Sequence, residues 1–172
     1  MKRLLQLTLI LLITAGITTI TNAQDLTASA NVDASISSSV DQALDFGTVT
    51  LNSSPSISPN DGDAGRFLIT GNGGTVDLEF TNLPSQLDGL GSASGSNIPI
   101  SFSSSSAAWG EESNSATNVF DPNSNNVETT SVNLYDASNG EIYVFIGGTL
   151  TVAQNQRAGN YEGTITLTAS YN

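Results

Sequence analysis

The 172 residues contain no cysteine and no histidine, and only four of them carry positive charge. Without cysteine no disulfide can form, and no thiolate is there to act as nucleophile or metal ligand. Without histidine the commonest general base and the commonest transition-metal ligand are both missing. Lys2, Arg3, Arg66 and Arg157 make up the cationic complement, against sixteen acids. Nucleic-acid binding rests on basic side chains displacing counterions, so a chain this acidic repels phosphate backbones. It repels an anionic membrane surface for the same reason. The acids stand singly rather than in runs, which reads as a solvated, aggregation-resistant surface.

The compartment is written at the start of the chain. Lys2 and Arg3 precede an uncharged apolar run over 4–20, and Thr21-Asn22-Ala23 supplies small or polar residues before a cut ahead of Gln24. Residues 1–23 thus have the order of a secretory signal peptide. The run touches the lower limit for a spanning helix, but its threonines and the abrupt change into Ser/Asp-rich sequence favour cleavage over an anchor. The expectation is an exported protein of the periplasm, cell surface or extracellular space, with no membrane insertion after cleavage. Residues 24–172 then form one domain, large enough for a sizeable core. The cut removes two of the four cations, leaving Arg66 and Arg157 against sixteen acids, an excess of fourteen negative charges.

What remains reads as β structure. Leu26, Ala28, Ala30, Val32, Ala34 and Ile36 alternate with polar residues, the period of a strand with one buried face. The end of the chain repeats this pattern, with Tyr161, Gly163, Ile165, Leu167, Ala169 and Tyr171 facing one way and mostly threonines the other. Shorter strands are expected at 44–51, 66–70, 75–80, 98–102, 130–135 and 141–152, the last interrupted by Gly147-Gly148. Asn139-Gly140 between two apolar segments predicts a hairpin. Three Ser/Asn/Gly-rich stretches, 52–65, 85–97 and 103–126, read as long loops. Phe46, Val144, Ile146, Leu150, Ile165 and Leu167 are the expected core. Many short strands with turns between them predict an all-β fold, an immunoglobulin-like β-sandwich of about seven to nine strands.

Few residues here can carry chemistry. Glu111-Glu112 and Asp61-Gly62-Asp63 are compact acid groups, but they lie where solvated turn residues are usual, and a catalytic carboxylate pair needs a pocket to separate its pKa values. No enzyme activity and no cofactor are expected. Asp61, Asp63 and Asp121 offer hard oxygen ligands for calcium in flexible loops, without EF-hand spacing; turn chemistry accounts for them equally well. Trp109 could stack on a sugar ring as a ligand contact, or fill the core as tryptophans in sandwiches do. Gly71-Asn72-Gly73-Gly74 lacks the lysine and helix of a phosphate loop and reads as a strand connection.

Three segments taken together carry a resemblance: Leu44-Asp45-Phe46-Gly47-Thr48-Val49, Gly147-Gly148-Thr149-Leu150-Thr151-Val152, and Gly159-Asn160-Tyr161-Glu162-Gly163 running into the last strand. The layout resembles an uncharacterised family of secreted bacterial β-domains similar to spore-coat-U-type and archaic chaperone–usher pilin subunits. Such pilins end in an alternating strand with a penultimate aromatic and a glycine about fourteen residues from the end; here Tyr171 is penultimate and Gly159 stands fourteenth from the end. The resemblance implies a structural or adhesive subunit of a pilus-like surface fibre, with identical subunits or a periplasmic chaperone as partners. It makes Gly159, Tyr161, Ile165, Leu167 and Tyr171 the assembly edge. Residues 26–36 would then be either a home strand or a donor strand completing the next subunit, with Ser37-Ser38-Ser39 as a hinge. The chain lacks the disulfide that many such pilins have near the first strand, and the second domain of tip adhesins. The alternative is a monomeric secreted binding module with its site in the 103–126 loop.

Overall fold

The computed structural model describes residues 29–124, 128–134 and 137–171. The expected signal peptide at 1–23 and the expected strand residues Leu26 and Ala28 lie outside them. The chain divides at Val32 into two compact units, and the architecture below is that of the second, 33–172.

It is all-β. The strands are β1 (Ile36–Gln42), β2 (Ser56–Ile57), β3 (Gly65–Gly71), β4 (Thr75–Asn82), β5 (Gln86–Gly89), β6 (Asn97–Ser101), β7 (Ala107–Gly110), β8 (Asn118–Phe120), β9 (Glu128–Asn133), β10 (Glu141–Ile146), β11 (Gly148–Leu150), β12 (Tyr161–Glu162) and β13 (Thr166–Tyr171). They form three antiparallel sheets, ordered β1-β3-β10-β7-β8, β12-β5-β6-β11-β2 and β13-β4-β9. The number exceeds the seven to nine expected because bulges and glycines cut long strands into pieces. Gly147 divides β10 from β11, and residues 163–165 divide β12 from β13.

Alternation puts the core where the sheets face each other. Ile69 of β3 and Ile142, Val144 and Ile146 of β10 meet Val76 and Leu78 of β4 and Leu167 of β13 in one buried cluster. That is a sandwich, with the first sheet as one layer and the three-stranded sheet opposite. Phe80 bridges the layers, edge-on to Phe67 at 6.3 Å and stacked on Phe120 at 6.0 Å, geometries that aromatic quadrupoles favour. A second cluster of Ile98, Ile100, Leu150 and Val152 lies on the remaining sheet, covered by Leu44, Phe46 and Val49. Of the expected core, Val144, Ile146, Leu150 and Leu167 are buried. Ile165 is half-buried against the first cluster, and Phe46 is half-buried at the rim of the second.

Several sequence expectations are corrected. Residues 29–35 form no strand, and β1 begins at Ile36. The serines expected as a hinge are inside β1, with Ser37, Ser38 and Ser39 opposite Thr70, Ile69 and Leu68 of β3. Alternation could not reveal this strand, because it is a sheet edge whose residues 37–41 are all exposed. The expected strand at 44–51 is an extended cover without a ladder; in it the backbone N–H of Asp45 donates to Asp63 O at 3.1 Å. Asn139-Gly140 does turn the chain, with φ of 60° and 67°, but its flanking strands do not pair. β9 joins β4, whereas β10 joins β3 and β7. Turn chemistry sets backbone angles and leaves the partner open. The supposed loop at 103–126 contains a hairpin of β7 and β8, and the one at 85–97 contains β5.

Candidate functional site

Two strands leave a free edge at the same seam. β1 is the outer strand of its sheet and β13 the outer strand of the three-stranded sheet. A strand edge presents unpaired N–H and C=O groups, a template for further pairing. A β-bulge between Val40 and Gln42 interrupts the β1–β3 register, and bulges re-aim side chains. Val40 is left 68% exposed. The Gln42 amide meanwhile donates to Gly62 O and Ala64 O at 2.6 and 2.9 Å, which fixes where the chain turns into 43–51.

Below the bulge the seam opens into a cavity of about 470 Å³, lined by Val40, Leu44, Phe46 and Phe67 on one side and by Tyr161, Gly163 and Ile165 on the other. A second cavity of about 650 Å³ shares Leu44, Phe46, Leu87, Tyr161 and Glu162 with it and continues along 156–160. Together they make one groove with a mixed polar and apolar lining, flanked by the unladdered segments 43–50 and 163–165. Strand addition, where it occurs, draws affinity from main-chain edges and specificity from pockets that take every second side chain.

The expected assembly residues divide between the two ends of this seam. Tyr161 stands in the groove wall, its hydroxyl donating to Arg157 O at 2.6 Å and accepting from the Gln156 amide at 2.8 Å. Gly159 keeps a φ of 152° where a Cβ would lie 2.7 Å from that of Ala93. Ile165 lines the groove, and Leu167 faces inward from β13. Tyr171 lies at the far end of β13. Its ring packs on Gly73, and its hydroxyl accepts from the backbone N–H of Asn72 and Gly73 at 2.9 and 2.8 Å while donating to Ser35 O at 2.6 Å. Its penultimate place in the chain gave no hint of this bond to the N-terminal side.

On the arm, Ala30, Val32 and Ala34 are exposed, Val32 by 81%, and Ile36 packs partly on the core as the first residue of β1. A home strand over 26–36 is therefore not what the described part of that segment forms.

The other candidates lie elsewhere. Trp109 belongs to β7, opposite Val144, and packs half-buried against the main core. Asp61 accepts from the Ser58 N–H at 2.7 Å and Asp121 from the Asn123 N–H at 2.9 Å, each closing its own turn. Asp63 is exposed beside the first of these turns. Among the described residues no three acids converge as a metal site, and no helix is long and apolar enough to cross a membrane. Glu111 and Glu112 are exposed between β7 and β8. Outside the groove, Arg66 pairs with Asp41 and lies 6.0 Å from the ring centres of both Tyr143 and Phe145. Burial, then the Glu141 and Asp41 carboxylates, push the Tyr143 phenol above its ordinary pKa.

Fold and groove define a class: an all-β sandwich with a groove between the end of its first strand and the segment 156–165. Residues 34–171 match the family model described as a domain of unknown function, DUF4402, and the chain belongs to that family. No curated protein matches it.

Proposed function

We propose that this protein is a non-catalytic subunit of a bacterial surface fibre, structural or adhesive, exported by its signal peptide and resembling spore-coat-U-type and chaperone–usher pilins. The observation that supports this reading is the groove that opens between the end of β1, at Val40 and Gln42, and the segment 161–165. Its occupant in this reading is residues 24–35 of a second copy. That segment alternates apolar and polar residues, and its apolar members Ala30, Val32 and Ala34 stand exposed outside any strand. Insertion beside Val40 would bury the apolar side chains of that segment and pair the outer edge of β1. Against it stand the small side chains Ala28, Ala30 and Ala34, which fill a donor groove poorly. Before assembly the groove needs a temporary cover, the role a periplasmic chaperone has in the pilins that the chain resembles. The alternative of a binding module at 103–126 draws less support, because Trp109, its expected ligand contact, packs half-buried against the main core.

The test uses the mature chain, 24–172. Electron microscopy and size-exclusion chromatography should show oligomers that persist on dilution. Removal of 24–35 should abolish them, and the same segment added as a peptide should bind the truncated domain. A well-behaved monomer at every concentration, with no peptide binding, refutes the reading.

A further inference from the structure

The two turns that flank Arg66 enclose a third cavity, away from the groove. It has a volume of about 150 Å³ and is lined by residues of 59–64 and 113–116, with Gln42, Arg66 and Phe145 between them. We propose that this cavity binds a neutral sugar, one ring of a larger glycan, through the Arg66 guanidinium and the amides of Asn60 and Asn114. The inference goes beyond the fibre reading and does not depend on the groove.

Both turns are braced by their own hydrogen bonds. Asp61 accepts from the Ser58 N–H at 2.7 Å, and the Ala64 N–H donates to Asp61 O at 3.1 Å. The Gln42 amide ties this turn to the bulge of β1 through Gly62 O and Ala64 O. In the other turn the Ser115 N–H reaches Glu112 O at 3.3 Å, and the Thr117 N–H reaches Trp109 O at 3.2 Å. Arg66 links the second turn to β1, its Nε donating to Asp41 and its Nη1 to Ser113 O. A site ordered in advance binds at a lower entropic cost.

Arg66 has donors to spare. A guanidinium carries about five N–H groups in a rigid fork, and two of these are committed among the described residues. The rest remain for the oxygens of a ligand. The group is also held in orientation, 6.0 Å from the ring centres of Tyr143 and Phe145, as guanidinium planes favour.

Charge selects the ligand. The Asp41 carboxylate offsets the Arg66 charge, and Asp61 also lines the cavity, so an anion meets a net negative surrounding. A cation meets the guanidinium itself. What suits the site is a neutral group that accepts from Arg66 and the two asparagine amides and donates to their oxygens or to Asp61. Adjacent hydroxyls on a sugar ring do both, and the Phe145 ring offers an apolar contact for the ring carbons. The volume lies below the roughly 300–1,000 Å³ of pockets for drug-sized ligands, which suits a single ring with the remaining glycan in solvent.

The test uses the mature chain, 24–172, with the methyl glycosides of glucose, galactose, mannose and N-acetylglucosamine as probes and acetate as the anionic control. Saturation-transfer NMR should show transfer to at least one glycoside and none to acetate. Asn114→Ala, at an exposed position, should weaken that affinity by about ten-fold or more. Arg66→Lys, which keeps the charge and loses the fork, should do the same. Near-ultraviolet circular dichroism checks that both variants fold, and if Arg66→Lys does not, Asn114→Ala decides alone. Silence from every glycoside overturns the proposal, as does transfer to acetate in their place or unchanged affinity in the folded variants. Oligomers of the mature chain are read separately, so the fibre reading stands or falls on its own test.

Discussion

Leu167 lies across the ladder from Phe80 and is 7% exposed within the main core. Leu167→Ala should cost about 2–5 kcal/mol by loss of transfer energy and creation of a cavity, measured by urea denaturation. A loss well under 1 kcal/mol would mean that β13 faces the other way. Gly140 illustrates a different constraint. Its φ is 67°, and a Cβ there would lie 2.3 Å from Gly71 O. Gly140→Ala should destabilise by about 1–3 kcal/mol through strain at that turn, and an unaltered urea midpoint would show that the turn can relax.

At the scale of elements, the interest lies in which strands are finished and which are not. β3 and β10 are central, paired on both sides. β1 and β13 each lack one neighbour among the described residues, and the groove runs between 43–51, which has no ladder, and 156–165, where only β12 is paired. Val40 stands on the rim of this groove, 68% exposed, so Val40→Asp should change stability by less than about 0.5 kcal/mol. It should nonetheless weaken binding of the 24–35 peptide by about ten-fold or more, because it sets a charge against an apolar strand. Calorimetry with the truncated domain reads this directly. Equal affinity for both forms would place the peptide elsewhere.

For the whole molecule, export and charge set the expectations. Intact mass of the secreted protein should correspond to a chain starting at Gln24; a full-length chain in the membrane fraction would mean an anchor. On the fibre reading, sixteen acids against Arg66 and Arg157 would make each mature subunit repel its neighbours. Salt screens such repulsion, with a Debye length of about 30 Å at 0.01 M and about 8 Å at 0.15 M. Assembly should therefore speed up as ionic strength rises over that range, as followed by light scattering. A rate that falls with salt would point to attractive contacts instead, for which Arg66 and Arg157 are the cations among the described residues.

The sequence by itself determined what local chemistry can carry. It excluded thiol and imidazole chemistry by composition and marked the class by period-two alternation. It also located β3, β4, β6, β10 and the inward face of β13, because each has a buried side to write into the pattern. It could not announce β1, a strand of serines with both faces exposed. Nor could it show that 44–51, though rich in apolar residues, packs as a cover without a ladder. The alternation at 26–36 was legible, but alternation states only that one face wants burial, not in which chain. Partner choice was decided in three dimensions as well. Asn139-Gly140 bends the chain as its residue types demand, yet the strands on either side go to different sheets because the two layers must face each other. The groove and the hydrogen bond from Tyr171 to Ser35 belong wholly to the tertiary structure. They join Val40 to Ile165 and Ser35 to Tyr171 across more than a hundred residues, distances over which no local pattern in a sequence carries information.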